Sequence, residues 1–149
     1  MKAKDITKPA VTISKLDSFN KALTKMLTEH TNTLLVVDER GILCGEVSVT
    51  DLLDAVIPEF ANGDEVMEHF ANEENFKHAV LDAADKTVED FMVQDYSSVQ
   101  ADDDLITIVS HAVSFQRARV AVVDKDGRPT GIISRQGLKQ ILGKFAKLT

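Results

Sequence analysis

The sequence has one cysteine, Cys44, so no intrachain disulfide can form, and a lone thiol fits a reducing compartment such as the cytoplasm. Basic residues are in deficit: 17 Lys and Arg stand against 24 Asp and Glu, a formal charge of −7. Non-specific nucleic-acid binding needs lysine and arginine to displace counterions, so no nucleic-acid partner is expected. A phosphate held by one or two placed cations is compatible with that balance. No stretch reaches the roughly 18 consecutive apolar residues of a membrane-spanning helix, so no membrane partner is expected. The opening MKAKDITKPAV lacks the apolar segment of a signal peptide. Phosphate-binding Walker loops, the G-x-S-x-G elbow and H-E-x-x-H are all missing. His30, His69, His78 and His111 are scattered without ligand spacing and read as helix-surface residues, so neither a metal site nor a catalytic residue is expected.

What is present is a duplication. Residues 36–53 read VVDERGILCGEVSVTDLL and residues 122–139 read VVDKDGRPTGIISRQGLK. They superimpose without a gap at an offset of 86, with Asp38 on Asp124, Gly41 on Gly127, Gly45 on Gly131 and Ser48 on Ser134. The register runs backwards to place Ile13 on Val99 and Asp17 on Asp103. Two copies are too few for a solenoid and imply a pseudo-symmetric pair. A chain of 149 residues, 44% apolar, suits two small halves that share a core.

Each copy reads β-α-β-β-α, which makes the fold α/β. In the first, Val11–Ile13 is a strand, and Asp17 or Ser18 caps a helix reaching about Glu29. Leu34–Val37 and Glu46–Val49 form a hairpin around DERG, where Gly41 can take positive φ. Thr50 or Asp51 starts a helix carrying Leu52, Leu53, Val56 and Ile57. In the second, Asp102–Asp104 open a helix whose Leu105, Ile108, Val109, Ala112 and Val113 form an apolar stripe. Val120–Val123 and Gly131–Ser134 are its hairpin strands, and Leu138, Ile141 and Leu142 lie on the last helix. A lead-in recurs: VEDFM at 88–92 stands where AKDI precedes the first copy. The expected division is 1–57, 58–87 and 88–149. The middle segment is amphipathic, with Val66, Met67 and Phe70 on one face and Phe76, Ala79, Val80 and Ala83 on another. Pro58–Asp90 carries ten acidic residues against Lys77 and Lys86, which reads as a solvated helical insertion with a lid or docking surface as its alternative.

The corner running from Gly45 to Asp51 holds the suggestive chemistry. A glycine there permits close approach of a ligand or of another backbone. Ser48 and Thr50 put hydroxyls beside the amides of a helix N-terminus, where phosphate binds readily. Asp51 can accept from a ribose diol, as acidic residues do in other nucleotide sites. The competing reading makes Thr50 or Asp51 a plain helix cap. Cys44 follows a turn into a strand and reads as a buried or semi-buried thiol.

Two copies of VVD-x-x-G-x-x-x-G-h-h-S, where h is mostly apolar, resemble the cystathionine β-synthase-type (CBS) domain, and a tandem pair resembles a Bateman module. The resemblance covers Lys4–Ile57 and Val88–Leu142. It implies a pseudo-symmetric pair of CBS-type repeats with clefts between their sheets, a regulatory module rather than an enzyme, and AMP, ADP or ATP as ligand, with no cofactor required. The family motif uses its hydroxyl for phosphate and its aspartate for ribose. Gly45, Ser48 and Asp51 match it, with a polar Glu46 at an apolar position. Gly131 and Ser134 match, but Gly137 replaces the aspartate. The resemblance implies a main cleft formed by Val47, Ser48, Thr50 and Asp51, completed by Ser97 and Ser98 beside the base, with Tyr96 preceding them. Arg117 and Arg119 would face the phosphate. A weaker second cleft would involve Thr12, Thr33, Ser134 and Arg135, with the uncharged run Thr31–Thr33 where the first cleft has arginines. A homodimer is implied, with Leu52, Val56, Leu138 and Ile141 as contacts. The alternative is a dimerisation or protein-interaction scaffold with degenerate clefts, whose acidic insertion meets an unidentified protein partner.

Overall fold

A computed structural model of the chain describes residues 1–57, 64, 72–114 and 119–149. After a 3-10 turn at Ala3–Asp5, the first half comprises β1 (Thr12–Ser14), α1 (Phe19–Glu29), β2 (Thr33–Val37), β3 (Leu43–Ser48) and α2 (Val49–Val56). Two helices follow, α3 (Glu73–Asp82) and the short α4 (Val88–Phe91). The second half comprises β4 (Ser98–Gln100), α5 (Leu105–Ser114), β5 (Val120–Val123), β6 (Pro129–Ile133) and α6 (Arg135–Phe145). Each half contains one three-stranded sheet, ordered β1-β2-β3 and β4-β5-β6. The first pair of strands is parallel and the second antiparallel in both sheets. A parallel pair needs a crossover, which α1 and α5 supply. Val66, Met67, Phe70 and His69 lie outside the described residues.

The apolar runs of β2 and β5 are continuous because both faces are covered. Leu34 and Val36 point into a core closed by Phe19, Ala22, Met26 and Leu52, and their neighbour Leu35 points the other way. Val120 and Val122 join Ile108 and Ile133 in the second core, while Ala121 meets Leu35 and Leu43 between the sheets. Three small cores thus share one pair of strands.

The two hairpins repeat one device. Asp38 Oδ1 accepts from the amides of Arg40 (2.8 Å) and Ile42 (3.0 Å), and Asp124 Oδ1 accepts from Asp126 (2.8 Å) and Arg128 (3.0 Å). Gly41 and Gly127 follow with φ of 80° and 86°, a conformation that costs glycine nothing sterically. The tips touch: the Leu43 amide donates to the Gly127 carbonyl at 2.9 Å, and Arg128 Nε to the Arg40 carbonyl at 3.2 Å.

The lead-in segments are exchanged between halves. Val88 and Phe91 pack into the first core, where the Phe91 ring meets Phe19 edge-on at 5.9 Å. Ala3 and Ile6 pack into the second core. Val93 pairs with Glu46 through two backbone bonds of 2.8 and 2.9 Å, and Lys8 pairs with Ile132 through two more of the same lengths.

Several expectations are corrected by packing. The second helix of the first half begins at Val49, capped by Ser48 rather than by Thr50 or Asp51. Leu52 and Ile141 are only 5% and 6% exposed, and Val56 and Leu138 pack against their own cores, so these four are not surface contacts. On the same helices Leu53, Leu142 and Phe145 are the exposed apolar residues. The α5 stripe is only partly inward: Ile108 is buried, whereas Val113 is 70% exposed. That helix lies on β4 and β5, which gives it only a narrow line of contact. In α3, Val80 packs on the first core and Ala83 belongs to it, but Phe76 is exposed.

Candidate functional site

The corner between β3 and α2 is built by a reciprocal cap. Ser48 Oγ accepts from the Asp51 amide at 3.4 Å. Asp51 Oδ2 accepts from the Ser48 amide at 2.7 Å and from its hydroxyl at 3.0 Å. Two orphan amides at the helix start are thereby satisfied. Both bonds fall on Oδ2, so the cap leaves Oδ1 for another donor. In the second half Ser134 Oγ accepts from the Gly137 amide at 3.3 Å, and no carboxylate returns the bond because residue 137 is glycine.

The motif glycines serve the exchanged lead-ins. A Cβ on Gly45 would stand 2.7 Å from Met92 Sδ and 3.0 Å from the Val93 carbonyl oxygen. One on Gly131 would collide with Thr7 and lie 2.7 Å from the Lys8 carbonyl oxygen. The close approach that the sequence suggested is therefore by another backbone. Glu46, polar where an apolar residue was expected, is 2% exposed beneath the same crossing segment.

The N-termini of α2 and α6 both open onto the space between the halves. A cavity of about 370 Å³ is lined by Asn32, Ser48, Val49, Thr50, Arg119 and Arg135. A smaller one of about 230 Å³ is lined by Thr31, Asn32, Thr33, Arg119, Ile132, Ser134, Arg135 and Gln136. The offset of 86 relates them, since Ser48 corresponds to Ser134, Val49 to Arg135 and Thr33 to Arg119. Arg119 and Arg135 line both. The expectation that the second cleft would lack an opposing arginine is thus corrected: the two small cavities abut and share their cations.

Asp51 lines a different wall. With Asp54, Asp90, Lys86, Phe91 and Val93 it borders a cavity of about 520 Å³ beside α2. Lys86 Nζ donates to the Ala55 carbonyl near the end of α2, at 2.5 Å. The equivalent place beside α6 is a cavity of about 470 Å³ bordered by Met1, Ile6, Gln140, Ile141 and Lys144. Three carboxylates on one side of the molecule therefore face none on the other.

The remaining expected residues are placed as follows. Val47 is fully buried in the first core. Ser97 is 1% exposed, and its hydroxyl is 3.0 Å from His111 Nδ1. A hydroxyl–imidazole pair so deeply covered cannot meet a substrate; it satisfies buried polar groups, and His111 is a partner of the interior rather than a surface residue. Ser98 is half-buried on β4, opposite Ala121. Tyr96 donates its hydroxyl to the Leu43 carbonyl at 3.0 Å, and burial raises its acidity constant above the usual tyrosine value. Thr12 lies on β1, with its carbonyl accepting from Lys25 Nζ at 2.6 Å. Arg117 lies outside the described residues. Sequence reasoning missed Asn32, Gln136, Asp54, Asp90, Phe91 and Val93. The recurring lead-in was the available signal for the last three, had its exchange between halves been recognised. Cys44 is a half-buried free thiol, its acidity constant raised mainly by burial. Among the described residues no group of His, Cys, Asp or Glu is gathered to hold a metal ion, and no helix is long and apolar enough to cross a membrane.

A duplicated α/β half with cavities on its pseudo-dyad defines the class: a tandem module with a cleft between its repeats. The CBS-domain sequence model matches the chain twice, over residues 3–58 and 88–144, and the chain belongs to the CBS-domain family. Among solved structures, it resembles the CBS domain of a CBS-domain-containing membrane protein from Sphaerobacter thermophilus, at 25% identity and a TM-score of 0.75, covering 94% of this chain and 86% of that one. It also resembles the CBS domain pair of protein MJ0100, solved with 5′-methylthioadenosine and S-adenosyl-L-methionine, at 22% identity and a TM-score of 0.70, covering 97% of each. CBSX2 from Arabidopsis thaliana aligns at 20% identity and a TM-score of 0.75, covering 98% of this chain and 96% of that one. A 33.4 kDa protein in the ribosomal RNA operon of Thermofilum pendens is 33% identical over 107 residues, and the match takes in a third of that relative's length.

Proposed function

We propose that this CBS pair is a regulatory module that binds an adenosine nucleotide, AMP, ADP or ATP, between its repeats. The observation that carries the reading is the convergence of two capped helix N-termini and two arginines, Arg119 and Arg135, on abutting cavities. Helix N-termini and guanidinium groups are both suited to phosphate oxygens. Asp51, at the start of α2, turns one oxygen into the cap and offers the other to a ribose hydroxyl. Phe91 and Val93 provide the apolar surface against which a base can lie. The ligands in the MJ0100 structure support an adenosine moiety, and the arginines of this chain favour one that carries phosphate. Occupancy is read out as a change of shape or of affinity for a partner, not as catalysis. With its free thiol, the module suits the cytoplasm.

A scaffold reading has one observation in its favour, namely Gly137 where the motif has aspartate, and on that reading the exposed Leu142 and Phe145 are the working surface. Thermal unfolding against a panel of adenosine, AMP, ADP, ATP and S-adenosylmethionine separates the two. A ligand that binds the folded state raises its stability in proportion to occupancy. The nucleotide reading expects a concentration-dependent rise with at least one phosphorylated member, and a flat response to all of them contradicts it.

A further inference from the structure

We infer that the small cavity beside α6 is not a second nucleotide site but the seat of the terminal phosphates of the nucleotide whose sugar lies at Asp51, so that the ligand is a nucleoside di- or triphosphate. The inference rests on the nucleotide reading above and adds the ligand's polarity and length. Size is the first argument: at about 230 Å³ the cavity falls below the range of roughly 300–1,000 Å³ that small-molecule sites occupy. Its walls are continuous with the neighbouring cavity, through Arg119 and Arg135, which line both.

Charge supplies the second argument. The Asp51 end of the cleft carries three carboxylates, Asp51, Asp54 and Asp90, and repels a phosphate chain. The α6 end has Gly137 at the position of Asp51, so its helix N-terminus faces the arginines with no carboxylate against it. A ligand with a hydroxylated neutral end and a polyanionic end fits that gradient in one direction only. The third argument is an orphaned group: Thr33, 7% exposed at the wall of the small cavity, has a buried hydroxyl with no hydrogen-bond partner. Buried polar groups are satisfied as a rule.

Calorimetric titration of the intact chain with AMP, ADP, ATP and inorganic triphosphate tests this, alongside Gln136→Glu. Gln136 is exposed near the start of α6, where a carboxylate suits the helix, so the variant folds. The expected result is one ATP per chain, bound at least about tenfold more tightly than AMP. Inorganic triphosphate competes with ATP, and Gln136→Glu lowers the ATP-to-AMP preference by roughly 3- to 10-fold. Two AMP per chain, or AMP and ATP bound equally with a preference unmoved by Gln136→Glu, overturns the inference and leaves the nucleotide reading standing. Binding of triphosphate with no adenosine ligand overturns the nucleotide reading itself.

Discussion

Gly45 and Gly131 sit where a neighbouring chain segment leaves no room for a Cβ, and their mates in the sequence pattern do not share that constraint. Gly131→Ala forces Thr7 and the Lys8 carbonyl aside and is expected to destabilise the fold by about 1–3 kcal/mol, as overpacking does. Gly137→Ala is the control: its Cβ would lie 3.6 Å from the Ile6 carbonyl oxygen, an ordinary contact, and alanine is the better helix former. Urea denaturation of the two variants is expected to move the midpoint down for the first and not for the second. The same comparison explains what was legible at this scale. The sequence placed glycine and serine at the corner correctly, because repeats expose them. It assigned the cap to Thr50 or Asp51, because capping by Ser48 depends on where the strand ends, which packing decides. Ser97 read as a surface hydroxyl for want of any local sign that His111 would reach it.

Hairpins, helices and lead-ins carry the fold's internal symmetry, and the paired aspartates of the hairpin turns make it measurable. Asp38 and Asp124 both titrate below the ordinary aspartate range, chiefly because the amides of Ile42 and Arg128 donate to their carboxylates. Folded values depressed below an unfolded value near 3.9 mean that the contribution is complete above about pH 4 and is lost as the pH falls through the folded values. Stability measured by urea midpoint is therefore expected to drop below about pH 4, and less steeply in the double variant Asp38→Asn, Asp124→Asn. An unchanged slope in that variant contradicts the assignment. The β-α-β-β-α order was readable from period and turn chemistry in both copies. The exchange of lead-ins was not, since residues 3–8 and 88–93 are apolar enough to join either core and only the tertiary arrangement selects one. Nor did periodicity separate the inward from the outward half of α5, where Val113 repeats at helical spacing and still faces solvent.

At the scale of the whole molecule, the exposed apolar residues on helices of both halves, Leu53, Val109, Val113, Leu142 and Phe145, are expected to be covered by a second copy. Light scattering is expected to give twice the 16.4 kDa chain mass at micromolar concentration, and Leu142→Glu with Phe145→Glu is expected to shift it to the monomer. A monomer in the parent protein contradicts this. The nucleotide account depends on a single carboxylate more than on any other group. Asp51→Ala removes both the ribose acceptor and half of a cap worth about 1 kcal/mol. Loss of a charged acceptor costs about 1.5–3 kcal/mol of binding, a weakening of roughly 10- to 150-fold. The most direct measurement is therefore a calorimetric titration of ATP into the parent and into Asp51→Ala, each checked by circular dichroism. The account predicts one site per chain in the parent and a 10- to 150-fold weaker site in a folded variant. Equal affinity in the two proteins, or no binding in the parent, contradicts it.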